Sequence, residues 1–131
     1  MGGTSYRKFF TQEGTLFYMG KDAKSNDLLV GKFKGKENVI LHTVPPGSPF
    51  CVLDSKNPSK KEIREVAIAC AAKSKYWRDN KKSVKVHIFS GKDVKKTKIM
   101  KEGTWSVGGK TKTIKARKRE IKKWLLLNKS S

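Results

Sequence analysis

The chain of 131 residues has no long hydrophobic run and no sign of an export signal. A membrane-spanning helix needs about 18 consecutive apolar residues, and no stretch approaches that length, so we expect no membrane span. The first residues, MGGTSYRKFF, lack the apolar core of a secretory leader. Tyr6 stands where an N-myristoylation motif has Ser or Thr. We therefore expect a cytoplasmic protein.

Cysteine is scarce as well. The two cysteines, Cys51 and Cys70, both lie in apolar segments, PFCVL and AIACAA. Without an export signal, two small buried thiols are expected rather than a disulfide. The two histidines, His42 and His87, have no HxxxH spacing and the cysteines no CxxC spacing, so we expect neither a metal site nor a cofactor.

Acidic residues are few: 11 Asp or Glu stand against 31 Lys or Arg, which gives a formal net charge of +20. Solubility needs only about 2–8 net charges in a small domain, and the excess is self-repulsive unless a polyanion neutralises it. The segment from Lys92 to Lys123 carries 13 basic and three acidic residues, a net +10. Nucleic acid is therefore the favoured partner, with an anionic membrane surface or an acidic protein as alternatives.

Arginine is rare among the basic residues, with five Arg against 26 Lys. Lysine acts on phosphate as a point charge, whereas the guanidinium fork of arginine reads base edges and stacks on bases. The composition thus predicts recognition of a phosphate backbone and its shape. It disfavours a sequence-specific DNA reader.

The clearest local signal is a helix that begins after Ser59. Ser59 and Glu62 have the spacing of a capping box, in which each side chain satisfies the other's backbone N–H. Apolar and small residues then recur at helical spacing from Ile63 to Trp77. A shorter helix is predicted after Asp22, a residue type common at N-caps.

Short β-branched or alternating runs bounded by turn residues predict the strands. Runs 6–10 and 15–19 predict an N-terminal hairpin, and Gly108-Gly109 predicts a hairpin turn between the last two runs. The element order indicates one α+β domain, with a mixed or largely antiparallel sheet packed by two helices and a basic C-terminal helix. The other strands are predicted at 38–42, 50–53, 84–89, 94–100, 104–107 and 111–115.

The segment GKDAKSND, residues 20–27, lies at a strand-to-helix turn. Backbone N–H groups at a helix start, together with Lys21 and Lys24, can hold a phosphate. Asp22 and Asn26 can equally serve as cap and turn formers alone. The residue types leave these two interpretations even.

A row of lysines follows the strand VKVHIF, with Asp93 and Glu102 as its acidic neighbours. In extended geometry Lys96 and Lys98 share one face of the strand. The scarcity of nearby acids favours phosphate contact over a merely solvated surface. The row consists of Lys92, Lys95, Lys96, Lys98 and Lys101.

Aromatic residues offer candidate stacking surfaces for bases. Tyr76 and Trp105 could take this role, whereas Trp77 lies on the apolar stripe of its helix and is predicted to be core. The apolar run WLLL, residues 124–127, is expected to dock on the domain. The alternative is an anchor for a partner protein or an anionic membrane face.

Catalytic motifs are not evident. His42 and His87 have no Ser or Cys nucleophile motif beside them, and no carboxylate pair stands out. In GTWSVGGKT, Gly109 occupies the position where a phosphate-binding loop requires Lys. We therefore do not expect an enzyme.

The ordered set of motifs resembles the RNA-binding "R" domain of the NFACT proteins, the group that contains the ribosome-quality-control factors which extend stalled nascent chains. The resemblance covers about residues 6–115, and no single motif is diagnostic by itself. The matching segments, in order, are the aromatic N-terminal hairpin with GKDAKSNDLL, VILHTVPPGSPFCVL, NPSKKEIREVAIACAAKS, VKVHIF and DVKKTKIMKEGTWSVGGKTKTIK.

The resemblance implies contact with RNA, either tRNA or ribosomal RNA of the large subunit, and association with the ribosome. Carried over by position, it implies functional roles for Lys21, Asp22, Asn26, His42, Gly47, Ser48, Lys95 and Lys96.

Other NFACT modules have no counterpart in this sequence, namely the N-terminal module, the helix–hairpin–helix part and the coiled coil. Chain-elongating activity is therefore not transferred, and a partner protein could supply the missing modules. We expect an RNA-binding domain over residues 1–115 and a basic helical extension over residues 116–131.

Overall fold

A computed structural model describes residues 6–109 and 111–129 of the chain. Its centre is a six-stranded sheet in the order β1-β2-β4-β3-β5-β8, and a separate two-stranded ribbon pairs β6 with β7. In chain order the elements are β1 (Arg7–Phe10), β2 (Leu16–Met19), α1 (Ala23–Phe33), β3 (Val39–Thr43), β4 (Cys51–Leu53), α2 (Lys60–Ala72), α3 (Lys75–Asn80), β5 (Val84–Ser90), β6 (Val94–Lys95), β7 (Ser106–Val107), β8 (Lys112–Ala116) and α4 (Lys118–Leu127).

Every strand pairing in the large sheet is antiparallel, and successive side chains alternate between two packed faces. On β2, Phe17 and Met19 enter one hydrophobic cluster with α2 and α4, whereas Tyr18 enters a second cluster with α1. The domain thus has three layers, with α1 on one face of the sheet and α2 and α4 on the other. The predicted α+β class and antiparallel sheet are confirmed.

Two predicted helix starts are confirmed by their caps. The Ser59 side chain accepts from the backbone N–H of Glu62, whose carboxylate accepts in return from the Ser59 N–H. Asp22 caps α1 in the same reciprocal way with Ser25. Such caps satisfy backbone N–H groups that a helix start leaves without partners.

The helix predicted from Ser59, with an end at residues 80–82, is interrupted after Ala72, and Ser74 is the cause. Its hydroxyl accepts from the backbone N–H of Trp77 at 3.2 Å and so starts a new helix, α3. A serine on the apolar stripe was therefore a cap rather than a core position. Trp77 itself is buried, as predicted.

The predicted strand 94–100 and the hairpin centred on Gly108-Gly109 are wrong. β6 ends at Lys95, and residues 98–100 form a turn. β7 pairs with the preceding strand β6, whereas β8 pairs with β5. The two runs on either side of the glycines therefore belong to different sheets. The extended face that Lys96 and Lys98 were expected to share therefore does not form.

The segment after residue 115, predicted as a helical extension, forms α4 and packs on the domain. Ala116 is a buried residue of β8, and Ile121 and Trp124 of α4 are buried in the same core as α2. An ion pair of 2.7 Å between Arg64 and Glu120 joins α2 to α4. The predicted docking of WLLL is confirmed at Trp124.

Both thiols are buried and free, as expected. Burial in apolar surroundings and the neighbouring thiol of Cys70 raise the pKa of Cys51. Within the described ranges, none of the helices has the length and apolar composition needed to cross a bilayer.

Candidate nucleic-acid interface

A groove of about 670 Å³ opens on the α1 side of the sheet. Its walls are the 20–26 turn, the 42–50 segment and the 102–107 loop, three segments far apart in sequence. Six of the twelve predicted site residues line it: Lys21, Asp22, Asn26, His42, Gly47 and Ser48. The structure therefore brings together residues from separate motifs that the sequence could only name one by one.

The other six predicted residues lie outside the groove. Lys24 is exposed in the first turn of α1, and Lys92 forms an exposed ion pair of 3.3 Å with Glu37. Lys95, Lys98 and Lys101 are exposed on or beside the segment that leads into the 102–107 loop. Lys96 is the exception, because it is half-buried.

Asp22 and Lys21 are tied into the start of α1. The Asp22 carboxylate accepts from the backbone N–H of Ser25 at 2.8 Å, and the Ser25 hydroxyl accepts from the backbone N–H of Lys21 at 2.7 Å. Hydrogen bonds from the Ser25 backbone and side chain lower the pKa of Asp22. The sequence favoured neither phosphate binding nor a capping role for this turn, and the structure shows that Asp22 is a cap. The Lys21 side chain is exposed at the rim of the groove.

Asn26 joins α1 to the proline-rich segment. It is 8% exposed, and its Oδ1 accepts from the backbone N–H of Phe50 at 3.0 Å. Gly20 is required next to it, because a Cβ there would come within 1.8 Å of the Asn26 Oδ1. Asn26 lines the groove, and among the described residues no hydrogen bond uses its Nδ2.

His42 lies beside the groove with one ring nitrogen occupied. Its Nδ1 is 2.8 Å from the carbonyl oxygen of Thr43 and so donates to it, which leaves Nε2 as an acceptor. The ring packs on Phe50, with centroids 4.4 Å apart. Burial lowers the pKa of His42, and nearby His87 lowers it further. Burial outweighs the hydrogen bond to the Thr43 carbonyl, which raises the pKa. The ring is therefore neutral at pH 7.

Residues 45–49 form one wall of the groove, and their prolines restrict the backbone there. Gly47 has φ +91°, a conformation that favours glycine, and its carbonyl accepts from the backbone N–H of Lys75 at 2.7 Å. A Cβ on Gly47 would meet the Lys75 Cβ at 2.9 Å. The Ser48 hydroxyl accepts from the Thr43 N–H at 3.1 Å. Gly47 thus shapes the wall through its backbone conformation, and Ser48 does so through the hydrogen bond that its hydroxyl accepts from the Thr43 backbone.

The opposite wall is the 102–107 loop, and Asp27 holds it together with the segment from Lys96 that leads into it. Residues 96–105 are called the 96–105 loop below. Its Oδ1 accepts from Lys96 Nζ at 2.9 Å, from the Gly103 N–H at 3.0 Å and from Trp105 Nε1 at 2.9 Å. Burial opposes ionisation of this carboxylate, but the three donors prevail and lower the pKa of Asp27. A Cβ on Gly103 would meet Ala23 at 2.8 Å, so the loop lies directly on α1.

Lys96 therefore has an internal structural role that the sequence did not reveal. Besides Asp27, its ammonium donates to the carbonyls of Lys101 and Thr104, and it lies 5.3 Å from the centroid of the Trp105 ring. All three ammonium hydrogens have partners within the protein. The phosphate contacts expected of the row rest on its exposed members.

Sequence reasoning missed Arg7 and Glu102, which also line the groove. A signal for Arg7 existed: it lies on the first strand of the predicted hairpin, and in the structure it pairs with Met19, next to the 20–27 turn. Its Nη2 donates to the Gly20 carbonyl at 2.6 Å. Glu102 and the position of Trp105 depend on loop docking, which leaves no periodic pattern in a sequence. The described residues contain no cluster of His, Cys, Asp or Glu suited to a metal ion.

Comparison with known proteins agrees with this architecture. Over 108 residues the chain is 24% identical to the archaeal Rqc2 homolog aRqcH of Methanocaldococcus jannaschii, a match that covers 78% of this chain and 16% of that protein. The chain therefore spans less than a fifth of that relative. The fold is similar to the C-terminal part of the fibronectin/fibrinogen-binding protein of Streptococcus suis, with a TM-score of 0.79 and 23% identity over 92% of this chain and 49% of that one.

A match to a family model shows which family the chain belongs to. It extends over residues 5–109, which include the N-terminal hairpin, the groove and both strands of the small ribbon. The resemblance of the ordered motifs is confirmed: the chain belongs to the family described as the NFACT protein RNA-binding domain.

Proposed function

We propose that this chain is a non-catalytic RNA-binding protein that contacts tRNA or large-subunit ribosomal RNA in ribosome-associated quality control. Exposed lysines hold phosphates, and the groove lies against the RNA. The proposal places the protein in the cytoplasm, where ribosomes translate.

One observation carries this proposal. In a chain of the NFACT RNA-binding family, residues from three separate motifs converge on a single groove, next to exposed lysines. A net charge of +20 supplies the attraction for a polyanion. Because lysine predominates, the contacts are with phosphates and shape rather than with base sequence.

The groove chemistry supports a binding role over a catalytic one. Asp22 is engaged as a helix cap, the Asn26 Oδ1 holds the Phe50 N–H, and the His42 Nδ1 faces a backbone carbonyl. General base catalysis needs a titratable group within reach of a nucleophile that it can activate. In the described groove these polar groups hold the backbone instead.

The direct test is binding of labelled tRNA and of large-subunit rRNA fragments, followed by fluorescence anisotropy over a range of salt concentrations. Neutralising about 5–8 phosphates gives a slope of log Kobs against log salt of roughly −0.7 to −0.9 per contact. A flat salt response, or no binding at low salt, would overturn the proposal. A single-stranded DNA of equal length serves as a control for charge alone.

A second candidate function is an adaptor that docks on an acidic protein or membrane surface. One observation favours it: Leu126 and Leu127 on the basic helix α4 are 70% and 67% exposed. Deleting residues 116–131 is unsuitable as a test because Ile121 and Trp124 belong to the core. Replacing Leu126 and Leu127 by Ser instead removes the apolar anchor. Loss of ribosome association with RNA binding intact would favour the adaptor.

A further inference from the structure

We propose that the groove receives one unpaired nucleobase of the bound RNA, while the exposed lysines hold the phosphates on either side. This inference rests on the proposed function and specifies which part of the RNA enters the groove.

The size of the groove suits one nucleotide. Small-molecule sites typically have volumes of about 300–1,000 Å³, and the groove, at about 670 Å³, lies in this range. A paired base is stacked and hydrogen-bonded within its helix, so only a nucleotide in a loop, bulge or end can enter.

The charge of the groove suits a base better than a free anion. Arg7 and Lys21 line it together with two carboxylates, Asp22 and Glu102, so the charges nearly cancel. Lys73 also borders the groove, but its ammonium lies over the Trp124 ring, 5.9 Å from the centroid. Exposed lysines without a described ion pair lie outside the groove, at Lys95, Lys98 and Lys101.

Aromatic side chains provide a stacking surface. Trp105 and His42 are half-buried and line the groove, and Phe50 backs the His42 ring. The Trp105 ring is held in place through its Nε1 bond to Asp27. A preformed aromatic surface binds a base with little loss of side-chain entropy.

Unused hydrogen-bonding groups face the same space. His42 Nε2 is an acceptor, and the Asn26 Nδ2 is a donor without a partner among the described residues. Buried polar groups are nearly always satisfied, so an unpaired donor lining a groove indicates a ligand with acceptor atoms. A nucleobase edge carries both donors and acceptors.

The experiment compares two RNAs: a blunt, fully paired duplex and the same duplex with one bulged nucleotide. Stacking of one base contributes about 1–3 kcal/mol, so the bulged RNA should bind about 5–150-fold more tightly at equal salt. Equal binding of both RNAs would overturn the inference and leave the proposed function intact. Binding of neither RNA would instead remove the proposed function.

Variants separate the groove from the charged surface. Trp105→Leu should abolish the preference for the bulge, whereas Trp105→Phe, which keeps a ring, should largely retain it. Lys95→Ala combined with Lys98→Ala is the matched control. It should weaken the binding of both RNAs equally and leave the ratio of their affinities unchanged. A Trp105→Leu protein that folds and keeps the full preference would contradict the inference.

A second readout requires no substitution. Trp77 and Trp124 are buried, whereas Trp105 is half-buried at the groove. The bulged RNA should therefore quench the tryptophan fluorescence more than the blunt duplex does at saturation. Identical quenching by both RNAs would contradict base insertion even if Trp105→Leu failed to fold.

Discussion

The ammonium of Lys96 lies 2.9 Å from the Oδ1 of Asp27, and this ion pair holds one wall of the groove against α1. Both side chains are about a quarter exposed, at 23% and 25%, so solvent screens the pair only in part. The same oxygen accepts from Gly103 and Trp105. A lysine expected to contact phosphate thus positions a loop that forms one wall of the groove.

Lys96→Met should destabilise the domain by about 1–2 kcal/mol, because the substitution keeps the aliphatic stem but removes the ion pair and two hydrogen bonds to carbonyls. Urea unfolding measures the change in the free energy of unfolding. Hydrogen exchange at the Gly103 amide, which donates to Asp27, should accelerate at the same time.

Lys98→Met is the matched control for that substitution. Lys98 lies two residues away in the same loop and is exposed, and no described hydrogen bond or ion pair uses its side chain. Its replacement should change the free energy of unfolding by less than about 0.5 kcal/mol. Equal destabilisation by both substitutions would mean that the Asp27–Lys96 pair contributes nothing specific.

Acid should release the loop. Burial opposes the charge of Asp27, but its three donors lower its pKa below that of an unfolded Asp, about 3.9. A lowered folded pKa means that the stabilisation is fully present above the unfolded pKa and is lost as pH falls through the folded value. Wild type should therefore be more stable than Asp27→Asn above about pH 5, and the difference should shrink below the unfolded pKa. The measurement is urea unfolding of both proteins from pH 7 to pH 3.

Glu37→Gln provides the comparison for the acid experiment. Glu37 and Lys92 form an ion pair with both side chains more than half exposed, which contributes little to stability. Its substitution should have a small effect across the same pH range. A wild-type advantage over Asp27→Asn that stays constant down to pH 3 would rule out ionisation of Asp27 as the source.

Local patterns in the sequence predict elements well where periodicity and caps agree. The Ser59–Glu62 box and the alternation of Val84 to Phe89 each describe a structure that local interactions largely determine. Ser74 shows the limit: a serine at helical spacing looks the same in a sequence whether it continues a helix or caps the next one. Only the hydrogen bond that its hydroxyl accepts from the Trp77 N–H shows that Ser74 caps α3.

Part of the groove lining was predictable from the sequence, but the arrangement of its segments was not. The 20–27 turn and the 45–49 segment were recognised separately, because glycine, proline and cap residues leave local signals. The docking of the 96–105 loop was not, since it depends on Asp27, about 70 residues away from Lys96 in sequence. Charge counting marks both buried and exposed lysines alike, and thus assigned Lys96 to the RNA-facing surface.

Lys95→Ala combined with Lys98→Ala should weaken RNA binding while leaving the melting temperature nearly unchanged. Both side chains are exposed, so their loss removes phosphate attraction without breaking a described contact. The salt slope of log Kobs should become shallower by about 1.4–1.8 if each lysine neutralises one phosphate. Anisotropy titrations over salt measure this, with Lys81→Ala, on the C-cap of α3, as a control of equal charge type. An unchanged slope would remove these two lysines from the interface.

The C-terminal helix should prove essential to folding rather than a removable extension. Trp124 packs edge-on against Phe9, with ring centroids 5.8 Å apart, and is only 8% exposed. Truncation of a buried Trp to Ala costs about 3–5 kcal/mol, because it removes apolar contact and leaves a cavity. Leu126, two residues later on the same helix and 70% exposed, supplies the control, and Leu126→Ala should change stability by about 0.5 kcal/mol or less. Urea unfolding of the two variants distinguishes the cases: if Trp124→Ala were as stable as Leu126→Ala, α4 would be an appendage that folding does not require.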